Sequence, residues 1–107
     1  MGQYTLSVLV PLYNEEEFAA PLLERVIAAP LPEGFSREII VVDDGSTDGS
    51  QEAVEQVMAR HPGVIRLVRH GRNQGKGAAI RTAIQHATGD YSIIQDADLE
   101  YDPREYP

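Results

Sequence analysis

Residues 38–48 read Glu38-Ile39-Ile40-Val41-Val42-Asp43-Asp44-Gly45-Ser46-Thr47-Asp48. Four consecutive branched apolar residues end abruptly in two carboxylates, a glycine and turn-forming residues. A run this short and this uniformly apolar suits a strand buried on both faces, as in a parallel sheet, because a half-exposed strand would alternate. Residues 5–12, 64–68 and 91–95 have the same character. The first closes at Pro11 and then Asn14-Glu15-Glu16, and the last at Asp96.

Helical spacing fills the gaps between these runs. Phe18, Leu22, Leu23, Val26 and Ile27 form one apolar stripe, and Ala53, Val54, Val57 and Met58 form another. Pro21 belongs in or near a first turn, where it is tolerated. Asp48, with Gln51 three residues on, predicts a capped start for the second helix. Ala78, Ala79, Ile80, Ala83, Ile84 and Ala87 predict a third helix able to pack close to a sheet, with Gly89 as its terminator. The order β-α-β-α-β-α-β implies an α/β fold: an open, mainly parallel sheet of about four strands, with right-handed crossovers and helices on both faces. No repeat, linker or low-complexity segment interrupts it. A chain that stops just after a fourth strand reads as the front part of a larger unit.

Composition narrows the function. The 107 residues suit one small domain, and 42% apolar with 24% charged excludes a disordered tail. No apolar run approaches the ~20 residues that span a bilayer, and the amino terminus lacks a secretory signal pattern. Met1-Gly2 opens like a myristoylation signal, but Leu6 stands where Ser or Thr is needed. The absence of cysteine excludes a disulfide scaffold, a thiolate nucleophile and a zinc–thiolate site, and it is compatible with a cytoplasmic location. A net charge of −8 argues against nucleic acid as a partner. That charge is uneven. Between Glu55 and Asp90 there is no acid, while Arg60, Arg66, Arg69, Arg72, Lys76 and Arg81 fall there. A basic island in an acidic chain either holds an anion or forms a solvated face.

In open α/β sheets, ligands bind beyond the carboxyl ends of the strands. Polar residues gather at those ends: Tyr13-Asn14-Glu15, residues 43–48, residues 69–76 and Asp96-Ala97-Asp98. Asp96 and Asp98, two apart in extended chain, can aim at one point. Two close carboxylates need a cation between them, and hard oxygen ligands suit Mg²⁺ or Mn²⁺; otherwise the pair belongs to a solvated acidic turn, since Glu100 and Asp102 follow. Asp43 and Asp44 can accept hydrogen bonds from a ribose or a base, and Ser46 to Gly49 supply the turn. Residues 71–77 are not a P-loop, because the first glycine sits one residue too near and Gly77 replaces Ser or Thr. They remain a basic, glycine-rich lead into a helix, suited to an anion. His61, His70 and His86 are too scattered for a metal site and read as surface residues.

Four segments in order carry a specific resemblance: Val10-Pro11-Leu12-Tyr13-Asn14-Glu15, Ile40-Val41-Val42-Asp43-Asp44-Gly45-Ser46-Thr47-Asp48, Asn73-Gln74-Gly75-Lys76-Gly77-Ala78-Ala79 and Gln95-Asp96-Ala97-Asp98-Leu99-Glu100. Together they resemble the amino-terminal half of a family 2 glycosyltransferase of GT-A fold, similar to dolichol-phosphate mannose synthases and related polyprenyl-phosphate glycosyltransferases. Residues 1–107 would then be the nucleotide-sugar-binding half of such a domain. The resemblance implies that Pro11, Tyr13 and Glu15 hold base and ribose, and that Val42, Asp43 and Asp44 contact the nucleoside. It further implies that Lys76 and Arg81 lie near the phosphates, and that Asp96, Ala97 and Asp98 form the segment binding the metal and the donor diphosphate. The expected reaction is inverting, metal-dependent transfer from a UDP- or GDP-linked sugar to a polyprenyl phosphate or another glycan acceptor, at the cytoplasmic membrane face. Acceptor-side catalytic residues are expected beyond this chain. A sugar-phosphate nucleotidyltransferase and a non-catalytic nucleotide-binding fragment are the alternatives. An uncovered fourth strand would also invite self-association into a homo-oligomer.

Overall fold

The computed structural model describes residues 3–96, in which the four apolar runs form four strands separated by three helices. They are β1 (Tyr4–Leu12), α1 (Ala19–Ala28), β2 (Phe35–Asp43), α2 (Ser50–Arg60), β3 (Ile65–Arg69), α3 (Lys76–His86) and β4 (Tyr91–Ile94). All pairings are parallel, in the order β3-β2-β1-β4. The chain runs outward from β1 to β3 and then returns to place β4 on the other side of β1. That reversal puts the topological switch point between β1 and β4.

Side-chain alternation divides the core into two layers. Val8, Val10 and Leu12 of β1 and Ile39 and Val41 of β2 face α1 and α2, packing on Leu23, Val54 and Val57. Leu9, Ile40 and Val42 face the opposite way, against Ala79 and Ala83 of α3. Helices therefore cover both faces, as the uniformly apolar runs required. Each fully buried Val, Leu or Ile contributes about 1.5–3 kcal/mol relative to exposure. The small residues of α3 do bring that helix close to the sheet, but they give it a thin apolar grip.

Three local expectations are corrected. β2 begins at Phe35, three residues before the run expected at residues 38–42, because the Tyr4, Phe35 and Tyr91 rings cluster with centroids 5.4–6.3 Å apart. The Tyr4–Phe35 register holds those earlier residues in the ladder. α2 forms without a capping box: Gly49 is its N-cap, Asp48 instead accepts from the Ser50 amide and hydroxyl, and Gln51 turns to Glu55. Gly89 does not terminate α3, which ends when Ala87 turns extended. A Cβ there would strike Ser7 Oγ and the Thr5 carbonyl at 2.7 Å, so Gly89 is needed for close approach of backbone to β1.

Pro21 does fall in the first turn of α1, and that helix closes where Arg37 donates to the carbonyls of Val26 and Ala29. The β4 expectation is met in part: Tyr91, Ile93 and Ile94 are each about half exposed, as is Ile84 of α3.

Candidate functional site

Beyond the carboxyl ends of β1 and β4 lies an open cleft of about 250 Å³. Its lining includes Pro11, Tyr13, Glu15, Asp44, Lys76 and Asp96, drawn from all four of the sequence segments that bear on function. Two interlocked loops hold the β1 side. Asn14 takes a left-handed conformation (φ 50°), which asparagine tolerates better than most residues. Its Oδ1 accepts from the Thr47 amide at 2.8 Å, and its own amide donates to Ser46 Oγ at 2.9 Å. The Glu15 amide donates to the buried Ser50 hydroxyl at 2.9 Å. Tyr13 and Glu15 thus flank a residue clamped to the loop after β2, and their positions follow from that clamp.

Strand parity separates the two adjacent aspartates. Asp43 continues the face of Ile39 and Val41 and is fully buried. Its Oδ1 accepts from the Ser46 amide at 2.9 Å, while Oδ2 lies 3.5 Å from Arg69 Nε and has no hydrogen-bond partner among the described residues. Asp44 continues the face of Ile40 and Val42 and lines the cleft. It accepts from His70 Nδ1 at 2.6 Å and from the amides of Gln74 and Gly75 at 2.9 Å each. Burial raises the cost of its charge, but those three hydrogen bonds outweigh it and hold the carboxyl below the usual range.

On the α3 side, Gly75 (φ 99°) turns the chain into the helix without a side-chain cap, so the first turn presents its amides near the cleft. Lys76 leads that turn and pairs its Nζ with Asp96 Oδ2, just beyond β4. The structure does not bring Val42 or Arg81 to the cleft. The Val42 side chain is fully buried beneath α3, and Arg81 is exposed, its guanidinium lying back over Gly77. Ala97 and Asp98 lie outside the described residues, among which no cluster of three metal-ligating side chains occurs. Asp96 nevertheless supplies a hard oxygen donor of the type that Mg²⁺ or Mn²⁺ takes.

The reading of all three histidines as surface residues is corrected. The His70 side chain is only 9% exposed, because it is sandwiched between Asp44 and Thr82. His61 is half-buried against Glu24, and His86 bonds the Thr82 carbonyl. Sequence reasoning placed Asn14 at a strand end without its clamping role and missed Ser50, since their partners lie 32 to 35 residues away. Only the Asn14-before-acid pattern at a strand end hinted at them.

A parallel sheet with a polar cleft at its switch point is the arrangement in which open α/β proteins bind ligands at the strand ends. Residues 7–107 match the family described as Glycosyl transferase family 2, and the chain belongs to that family. It is 39% identical over 102 residues to the dodecaprenyl-phosphate galacturonate synthase of Rhizobium johnstonii, covering 95% of this chain and 30% of that protein. It is 43% identical over 102 residues to the undecaprenyl-phosphate 4-deoxy-4-formamido-L-arabinose transferase of Pectobacterium carotovorum, again covering 95% of this chain but 31% of the relative. Among solved structures it resembles the mannosyltransferase PcManGT from Pyrobaculum calidifontis in complex with GDP-Man and Mn²⁺. The TM-score is 0.80 at 34% identity, over 92% of this chain and 28% of that one. It also resembles S. aureus TarS in complex with UDP-GlcNAc, with a TM-score of 0.76 at 30% identity over 88% of this chain and 26% of that one. The chain thus spans less than a third of the length of these proteins.

Proposed function

We propose that this chain is the donor-binding part of an inverting glycosyltransferase that takes a sugar from a UDP- or GDP-linked donor to a polyprenyl phosphate. The observation that carries the reading is the convergence of Pro11, Tyr13, Glu15, Asp44, Lys76 and Asp96 on one cleft at the switch point of a family 2 fold. In this reading Pro11, Tyr13 and Glu15 hold base and ribose. Asp44 faces the nucleoside as an ionised acceptor, with Asp43 and Val42 forming the strand end behind it. Lys76 and the first turn of α3 receive the diphosphate.

Asp96, with Asp98 beyond it, would hold a Mg²⁺ or Mn²⁺ ion, which when bound neutralises the departing diphosphate. The acceptor phosphate is already an anion, so the step asks for positioning and leaving-group stabilisation more than for a strong base. The relatives named for undecaprenyl- and dodecaprenyl-phosphate chemistry support a lipid-phosphate acceptor. The two ligand-bound neighbours, named with GDP-Man and Mn²⁺ and with UDP-GlcNAc, support the donor class and the metal. A lipid-phosphate acceptor would put this part at the cytoplasmic membrane face by peripheral contact; among the described residues no helix is long and apolar enough to cross a membrane.

Calorimetric titration with UDP and with GDP, each with and without Mn²⁺, tests the proposal. Binding of one nucleotide should require the metal, and Asp96→Ala should weaken it more than about tenfold, or 1.4 kcal/mol. A folded chain that binds neither nucleotide would end the donor-site reading.

A further inference from the structure

We propose that His70 is a positioning residue that sets α3, and with it Lys76, against the end of β2 so that the helix start and the ammonium meet the donor's diphosphate. The inference rests on the donor reading above and concerns how that subsite is held in place. The imidazole bridges the end of β2 and α3. Its Nδ1 lies 2.6 Å from Asp44 at the end of β2, and its Nε2 lies 2.8 Å from Thr82 Oγ1 in the second turn of α3. The His70 amide is bonded to the Asp43 carbonyl at 2.9 Å, and Asp44 also takes the amides of Gln74 and Gly75, the last two residues before α3.

Simple attachment of the helix does not require this arrangement. Burying an imidazole and a carboxylate costs more than burying a pair of apolar residues, unless every bond is made. Here the bonds are made, and the apolar grip is what is weak. The residues that α3 buries against the sheet are Ala79 and Ala83, each with a single methyl group. Two methyls interdigitate little, so they leave the helix free to slide or rotate over Leu9, Ile40 and Val42. Directional bonds from His70 supply the register that these alanines do not.

Ionised Asp44 only accepts, so Nδ1 carries the ring proton directed at it, and the Thr82 hydroxyl is the partner of Nε2.

The test compares nucleoside diphosphate with monophosphate, UDP with UMP or GDP with GMP, titrated into the full chain with Mn²⁺. His70→Ala and Thr82→Val should each weaken diphosphate binding about tenfold while monophosphate binding changes less than about twofold. Thr82→Ser, which keeps the hydroxyl, should retain the wild-type ratio. If His70→Ala fails to fold, Thr82→Val decides the matter, since it removes one hydroxyl and preserves side-chain volume. Parallel weakening of both ligands, or no change in either, would overturn the proposal and leave the node a purely structural one. A wild-type chain that binds no diphosphate would overturn the donor reading itself, an outcome visible before any variant is made.

Discussion

Asn14 illustrates how much one residue settles. Its positive φ and its bonds to Ser46 and Thr47 fix the turn that aims Tyr13 and Glu15 at the cleft. Asn14→Ala loses the side-chain acceptor and puts a residue with less tolerance of the left-handed region there, so it should cost about 1–3 kcal/mol. Asn14→Gly keeps the conformation and should cost less, and urea unfolding of the two variants separates strain from hydrogen bonding. A similar logic distinguishes Asp43 from Asp44. The run of apolar residues before them already contains the parity that sends one toward α2 and the other toward the cleft. The aspartates were legible as a polar strand end, but their division of labour depended on which face the third helix covers.

At the scale of elements, the strands were readable because burial on two faces removes the polar half of the pattern. The three helices were readable because one stripe is enough. Boundaries were lost where distant chain intervenes. The Tyr4–Phe35–Tyr91 cluster draws β2 back by three residues, and no local signal near Phe35 announces it. His70 was misread for the same reason, since its partners stand 26 and 12 residues away. Gly89 yields an element-scale prediction. Gly89→Ala places a methyl against Ser7 and Thr5 of β1, so β4 should loosen while β2 and β3 stay paired. Hydrogen exchange should then speed up by at least tenfold at the Ser92–Ile94 amides and change little at Ile40–Val42.

Over the whole molecule, acid should be the condition that unfolds it. Glu38, Asp44 and Asp48 all have carboxyls held below their ordinary values. For Glu38, partial burial opposes the charge, yet hydrogen bonds from Ser7, Thr88 and Gly89 outweigh it. A depressed native pKa means that the unfolded chain binds more protons. The stabilisation is therefore complete above about 4.5 for Glu38 and 3.8 for the aspartates, the ordinary values, and is lost as pH falls through the lower native ones. Denaturant midpoints measured from pH 6 to pH 3 should show this loss, and Glu38→Gln should make the acid limb shallower.

The strand order has a consequence for how the protein is made. β1 leaves the ribosome ahead of the other three described strands, yet one of its two neighbours, β4, is the last of the four. Thr5 and Asp90, which bond across that junction, are 85 residues apart in the chain. At 5–20 residues per second, roughly 4–17 s of translation separate them. For that interval the nascent chain carries β1 with one edge unpaired, a surface that other unfinished chains or a chaperone can occupy. Lys76 meets Asp96 only after β4 docks, so the cleft is assembled only once the fourth strand has emerged.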